Sequence, residues 1–317
     1  MNPLVSVICL CYNHEQFVTE ALESVLRQTY PNIQFIIVDD FSLDESRKYI
    51  EQFIKKNSHA IYLPLPKNVG NCAAFNQALR LAQGEFVIDF STDDVMLPDR
   101  VEKQVNFFST LDQSYGVVFT DAEYIDSKGN KLRTHFDHLF RRKLIQKIPE
   151  GWIFRDVLRT YFICSPTMMF RKEVIDALKG YDENLVYEDF DFWVRSSRNF
   201  KYACLNEVTT RVRRTGNSMS SGWYEQGDQQ LHSTYLICKK AVSLCIDEGD
   251  KKALLFRIRY EFKQAIFSGN KTEAKLFAEL EMEVSKHNFQ FYLFSIISTL
   301  PFPWSWIRKK YHQLFYG

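Results

Sequence analysis

The feature that most constrains this chain is the alternation in its first third. Short β-branched apolar runs there take turns with stretches whose apolar residues recur at helical spacing. Val5 to Cys11 predicts a buried strand, and Phe17, Val18, Ala21, Leu22, Val25 and Leu26 predict the helix that follows. Ile33 to Val38 predicts a second strand running into Asp39-Asp40, then a helix to Lys56 and a short strand near Ile61 to Leu63. Asn71 to Ala82 predicts a helix with Gly84 as its C-cap. Glu85 to Phe90 predicts a strand that ends in Ser91-Thr92-Asp93-Asp94, Pro98 opens the next helix, and Val117 to Thr120 predicts a further strand. Such alternation gives an α/β fold with a mostly parallel central sheet flanked by helices on both faces. Ligands of such sheets bind beyond the carboxyl ends of the strands, where Asp39-Asp40 and Asp93-Asp94 both fall. Acids also end strands simply because they favour turns. Two pairs on strands of one sheet shift the balance toward a cation or phosphate-ester site.

Several chemistries are excluded early. The turn after the first strand reads Cys11-Tyr12-Asn13-His14-Glu15-Gln16, without the glycines of a dinucleotide fingerprint, and a Walker A loop is missing. The seven histidines form no HExxH spacing, which argues against a zinc enzyme, and His14 reads as a surface residue. Lys plus Arg number 40 against 39 Asp plus Glu, a balance that argues against a nucleic-acid partner. The seven cysteines contain no CxxC and read as reduced thiols in a cytoplasmic setting. A secretory signal and a run of about 18 apolar residues long enough to span a bilayer are both lacking.

Residues 121–220 read as a more irregular α+β region, with a turn at Asp126 to Asn130 and helices at Trp152 to Arg159 and Arg171 to Leu178. Within it, Val186 to Trp193 sets Glu188, Asp189 and Asp191 among aromatics, an environment costly for carboxylates unless they are paired or functional. From Glu225 onward helical periodicity dominates, with helices near 226–248, 250–268, 271–287 and 289–300. The expected division is therefore 1–224 as the α/β domain and 225–317 as a helical C-terminal extension. Ten of the 29 residues from Phe289 to Gly317 are aromatic, no acid follows Glu283, and Arg308, Lys309 and Lys310 are basic. That composition suits peripheral contact with a membrane–water interface, against the alternative of a helix packing its aromatics on the preceding domain.

The blocks Val5-Ser6-Val7-Ile8, Tyr12-Asn13-His14, Ala21 to Pro31 and Ile37-Val38-Asp39-Asp40 together resemble family 2 glycosyltransferases of the bacterial surface-polysaccharide type. The similarity continues through Asn68-Val69-Gly70-Asn71, Asn76, Gly84 to Val87 and Asp93-Asp94, and returns at Glu188-Asp189. It spans roughly residues 4 to 220 and is carried by the order of the blocks, since any one alone would be weak.

The resemblance implies a GT-A fold, a nucleotide-sugar donor, most simply a UDP-sugar, and inversion at the transferred sugar. It implies nucleotide-binding roles for Leu10, Tyr12, Asp40, Asn68 and Asp93, with Tyr12 stacking on the base and Asp40 accepting the base N–H. The family often has Pro in place of Leu10. Its D-x-D metal motif is Ser91-Thr92-Asp93 here, so the first acid is Ser91, leaving Asp93 and Asp94 for the ribose and for Mg²⁺ or Mn²⁺. The E-D motif makes Asp189 the general base and Glu188 its neighbour in acceptor binding, with Asp191 the rival. Arg211 to Ser218 resembles a loop near the family's active site, and Arg213 is the candidate clamp on the diphosphate, against a solvated basic loop. The implied acceptor is a growing glycan, carried on a lipid at the inner face of the membrane. Two other functions remain open at this point. One is a nucleotidyltransferase, although no glycine-rich activating loop is found, and the other is a degenerate glycan-binding or scaffold protein, which Ser91 supports.

Overall fold

The computed structural model describes residues 2–215 and 224–285. The chain divides into two compact units. Met1–Ile153, Phe162–Glu183 and Ser196–Ser218 make one; Phe154–Tyr161, Asn184–Arg195 and Met219–Gly317 make the other. The expected helix at 289–300 and the aromatic 289–317 segment lie outside the described residues.

The first unit is built on strands β1 (Val5–Cys11), β2 (Ile33–Asp39), β3 (Ile61–Pro64), β4 (Phe86–Ser91), β5 (Val95–Met96), β6 (Tyr115–Ile125), β7 (Lys131–Thr134), β8 (Met169–Arg171) and β9 (Lys201–Arg213). They form one sheet in the order β3-β2-β1-β4-β8-β6-β9-β5, with β7 on β6. β1 runs parallel to both neighbours, pairing Val5 with Ile33 on one side and with Phe86 on the other. All seven of its residues are buried, which is why it reads as an unbroken apolar run. Beyond β4 the sheet turns mixed: β8 is antiparallel to β4 and β6, while β9 is parallel to β6.

Helices α1 (Val18–Leu26), α2 (Ser46–Lys56), α3 (Asn71–Leu79), α4 (Arg100–Ser109), α5 (His135–Arg141) and α7 (Lys172–Ala177) belong to this unit. One face of β1, through Val5, Val7, Cys9 and Cys11, shares a core with Val18, Ala21, Leu22 and Val25 of α1, Ile50 and Phe53 of α2, and Val101, Val105 and Phe108 of α4. Helix α3 packs against β1 and β2. The alternation along the chain has thus become helices laid against a sheet whose first four strands end at the same edge.

The helix predicted to run to Ala82 stops at Leu79, and Gly84 is not its cap. Gly84 lies against β1: a Cβ there would meet Ser6 N at 2.5 Å and Phe86 O at 2.7 Å. Its N–H donates to Ser6 Oγ at 2.8 Å. The glycine is needed for close backbone approach, not for a left-handed φ.

The second unit is helical: α6 (Phe154–Arg159), α8 (Asp189–Ser196), α9 (Gln229–Leu244), α10 (Glu248–Ser268) and α11 (Lys271–Ser285). Asp228 and Asp247 cap α9 and α10 by accepting the N–H of Gln230 and of Asp250. Gly269, at φ +80, ends α10. Among the described residues no helix is long and apolar enough to cross a membrane.

Gly84→Ala forces backbone apart at a site with no flexible neighbour and is expected to cost about 2 kcal/mol of stability, read by urea denaturation.

Candidate active site

The strand ends of β1, β2 and β4 place three loops together, and Asp40 is where two of them meet a third segment. Its backbone N–H donates to Cys11 O at 2.9 Å, joining the β2 end to the β1 end. Its carboxylate accepts from Val69 N at 2.8 Å and Gly70 N at 3.0 Å, and Asn68 Nδ2 donates to its carbonyl at 3.3 Å. Gly70, at φ +84, is the residue that turns the chain into α3. Burial pushes the Asp40 carboxyl upward, opposed by those two N–H groups. A carboxylate has about four lone-pair sites, so two N–H bonds leave room for an incoming donor. Leu10, on β1, is nearly buried, and its carbonyl accepts from both Thr92 N (3.0 Å) and Thr92 Oγ1 (3.1 Å). Tyr12 is 43% exposed. Leu10, Tyr12, Asp40 and Asn68 are therefore brought to neighbouring loop ends.

His14, read from sequence as a surface residue, is tied in. Its Nδ1 lies 2.8 Å from Thr92 Oγ1, and its backbone N–H donates to Ser46 Oγ at 2.8 Å. The ring links the β1 loop to the Ser91–Asp94 turn. No local motif signals this, because Thr92 is 78 residues away.

The acids after β4 separate. Asp93 is half-buried and accepts from Ser91 Oγ at 2.5 Å. Asp94 is turned inward, 3% exposed, and accepts from Arg213 N at 2.8 Å. Burial pushes its carboxyl well up, helped by the Asp93 charge and opposed by the Arg213 N–H and by Arg214 and Arg100. Among the described residues no group of three or more His, Cys, Asp or Glu side chains is placed to hold a metal ion. What the turn offers is one half-exposed carboxylate, Asp93, with a hydroxyl beside it. That donor set fits a hard cation that draws its remaining oxygens from a substrate diphosphate and water, as Mg²⁺ commonly does.

Arg213 lies on β9, not in a loop, and its side chain is 2% exposed. Its Nε donates to Asp93 O at 2.9 Å, one Nη to Asp126 O at 3.2 Å, and the other to Glu20 Oε2 at 2.8 Å, with the Phe17 ring 4.4 Å away. A diphosphate clamp would require these contacts to be exchanged for phosphate oxygens. As it stands, the guanidinium pins the acidic turn to α1 and to the 126–127 turn.

Asp89, which no sequence motif marks, sits two residues before Ser91 on β4 and hence on the same face. Tyr181 Oη donates to it at 3.1 Å. Tyr181 stacks on Phe75 at 4.3 Å, and the Asn76 side chain accepts from Tyr181 N and donates to Tyr181 O, both at 2.9 Å. The spacing of Asp89 and Ser91 is the available signal: two polar residues on one face of an otherwise apolar strand.

In the helical unit, Asp189 opens α8, half-buried, and its Oδ1 accepts from Phe190 N at 2.6 Å. Glu188 precedes it, its carbonyl accepting from Phe192 N at 2.8 Å. Asp191 is 1% exposed and doubly paired, to Arg195 Nε at 2.6 Å and to Lys240 Nζ of α9 at 2.7 Å. Phe190 is fully buried, edge-on to Tyr161 at 4.9 Å, and the Arg257 guanidinium lies 4.1 Å from the Tyr161 ring. Arg257 is held by Glu261 at 3.0 Å and Leu158 O at 2.9 Å. The aromatic setting noted in the sequence is therefore the seat of α8.

A mixed sheet with helices on both faces and ligand-binding loops at the ends of β1, β2 and β4 is the arrangement of GT-A enzymes. Among solved structures, Staphylococcus aureus TarS (residues 1–349), crystallised in complex with UDP-GlcNAc, superposes with a TM-score of 0.66 at 20% identity, covering 89% of this chain and 80% of that one. The profile of Glycosyl transferase family 2 matches residues 6–179. The uncharacterized glycosyltransferase MJ1057 of Methanocaldococcus jannaschii is 30% identical over 67% of this chain and 71% of its own. TuaG of Bacillus subtilis, provisionally named as a teichuronic acid biosynthesis glycosyltransferase, is 31% identical over 69% of this chain and 82% of its own. The chain belongs to glycosyl transferase family 2.

Burial pushes the Asp89 carboxyl up to about 7, whereas in the unfolded chain it titrates near pH 4. Between those values the folded protein keeps a proton that the unfolded chain has released, so stability falls as pH rises through the window. Asp89→Asn is expected to flatten that fall and to gain on the wild type above pH 7, in thermal melts taken from about pH 4 to about pH 8.

Proposed function

We propose that this protein is an inverting glycosyltransferase that moves a sugar from a UDP-sugar to a hydroxyl of a growing, lipid-linked glycan in cell-surface polysaccharide assembly. The observation that carries the donor half of this reading is the Asp40 junction. A carboxylate fixed by two backbone N–H groups, beside an exposed Tyr12, offers a uracil both an acceptor for its N–H and a flat surface for its ring. TarS was crystallised with UDP-GlcNAc, which agrees with this donor, and TuaG is named for teichuronic acid biosynthesis, which agrees with this setting.

In this mechanism Tyr12, Leu10 and Asn68 line the nucleoside and Asp40 orients the base. Asp93 faces the ribose and diphosphate end. Mg²⁺ or Mn²⁺, when bound there, supplies positive charge to the leaving diphosphate. Asp189 takes the proton of the acceptor hydroxyl as that oxygen bonds to the anomeric carbon, while the bond from that carbon to the diphosphate oxygen breaks and UDP leaves. Glu188 holds the acceptor beside it. Asp189 is favoured over Asp191 because the latter is buried and engaged by two cations. We place residues 289–317 at the membrane surface, where a lipid-linked acceptor would be met. Flotation with anionic liposomes checks this, with binding expected of the full chain and not of a 1–287 truncation.

A panel of nucleotide sugars, assayed for hydrolysis and transfer, tests the reaction. Asp189→Asn is expected to lower kcat by at least about 10³-fold while UDP binding stays near wild type. Asp191→Asn should instead lower stability by about 2 kcal/mol, because it leaves two partly buried cations unneutralised. Transfer at the wild-type rate by Asp189→Asn would remove the base assignment.

A further inference from the structure

Backbone strain singles out one residue next to Asp40. The non-glycine residues with positive φ among those described are Asn13, Phe41, Lys143 and Lys179. Asn13 (φ 58) and Phe41 (φ 63) occupy the loops that follow β1 and β2. Asparagine tolerates this region, but a bulky aromatic there is a genuine outlier. The surrounding bonds hold it in place: Asn13 N donates to Ser42 Oγ at 3.0 Å, Leu43 N to Asn13 Oδ1 at 2.8 Å, and Ser42 N to Asp39 Oδ1 at 3.1 Å. Strain persists only where neighbours over-determine it, and it gathers at ligand sites.

Part of this ring is open to solvent. Phe41 is 38% exposed, and the Arg47 guanidinium lies 5.8 Å from its centroid, near the outer limit for a cation–π contact. Arg47 is already held by Asp39 at 2.8 Å and Leu65 O at 3.1 Å. Glycine would adopt the same φ without steric cost. Tyr12 follows directly on Cys11, the register partner of Asp39, so two exposed aromatics stand at adjacent strand ends with Asp40 next to both.

We propose that Phe41 is a base-binding residue, supplying a second aromatic surface beside Tyr12 for the nucleobase whose N–H meets Asp40. This rests on the assignment of the β1 and β2 loops to the donor nucleotide, and it adds a residue and a reason for its strained backbone.

Calorimetric titration of the full chain with UMP and with UDP, paired with thermal melts, tests it in the wild type and in Phe41→Gly, Phe41→Tyr and Tyr12→Ala. Phe41→Gly is expected to melt at the same or a higher temperature while its Kd for both nucleotides rises about tenfold. Phe41→Tyr, which keeps the ring, should bind as the wild type does. Wild-type binding by Phe41→Gly overturns the proposal. So does a loss confined to UDP, which would place the contact on the diphosphate. So does a lower melting temperature with unchanged binding, which would make the ring a support for Arg47. If Tyr12→Ala is weakened and Phe41→Gly is not, this inference fails alone. If the wild type binds neither nucleotide, the donor-site assignment fails and carries this one with it.

Discussion

The closure of the Asp40 carboxylate onto the N–H groups of Val69 and Gly70 is the contact on which the strand-end loops depend. The segment between β3 and α3 is also tied to the β2 end by Leu65 N on Asp39 O (2.9 Å) and Asn68 Nδ2 on Asp40 O (3.3 Å), but it is the carboxylate that holds Val69 and Gly70, where the chain turns into α3. The same residue's N–H fixes the β1 end through Cys11 O. One aspartate thus joins three consecutive pieces of the α/β alternation at the edge where ligands of such sheets bind. The carboxylate sits in a buried setting that disfavours its charge, and the backbone donors offset that cost. An edge N–H from a planar base would offset it further, which is why a structural junction and a recognition group can be the same atoms.

Much of the first unit was legible in the sequence because its strands are buried on both faces and its helices are short and periodic. Val5–Cys11 matches its expected span, and Ile33–Asp39 and Phe86–Ser91 differ from theirs by a residue at their ends. The long helices of the second unit were legible in number but not in every bound: the stretch expected as one helix over 226–248 ends at Leu244, and Asp247 within it caps α10. β9 was not legible. Its residues Lys201–Arg213 mix charged and β-branched types, with a run of half-buried and exposed positions at Cys204–Val208, so no period of two survives along it. It is held by pairing with β6 over ten residues, a non-local contact that no window of sequence contains. The same blindness hid the partners of Arg213, which come from α1, the acidic turn and the 126–127 turn.

The candidate site was legible as residue types and illegible as orientations. Acids occur in close pairs at all three places, and in each the structure gives the two members different surroundings. Asp39 is fully buried and bonded to Arg47 and to Ser42 N, while Asp40, also buried, accepts from backbone N–H groups at the loop junction. Asp94 is buried on Arg213 N, while Asp93 stays half-exposed beside Ser91. Asp191 is buried between Arg195 and Lys240, while Asp189 stays half-buried at the start of α8. Adjacent residues at a strand end point to opposite faces, and residues two apart on a helix do not share one. Geometry alone therefore splits each pair, but it does not say which member goes inside.

What decides the inward member is the availability of a partner. A buried carboxylate is tolerated only where a cation or backbone N–H is already in place. Each inward acid has one supplied by a different element: Arg47 from α2 for Asp39, the β9 backbone for Asp94, and Lys240 from α9 for Asp191. Arg47 and Lys240 are thereby committed to the fold. This bears directly on how a diphosphate would be neutralised, because Arg47 and Arg213, both bonded to the acidic strand-end turns, are already engaged by protein acceptors. At the end of β4 the turn itself offers the half-exposed Asp93 carboxylate rather than a guanidinium. The missing first acid of the motif, Ser91, fits the same logic: its hydroxyl donates to Asp93 and holds that carboxylate in place without adding a second negative charge beside it.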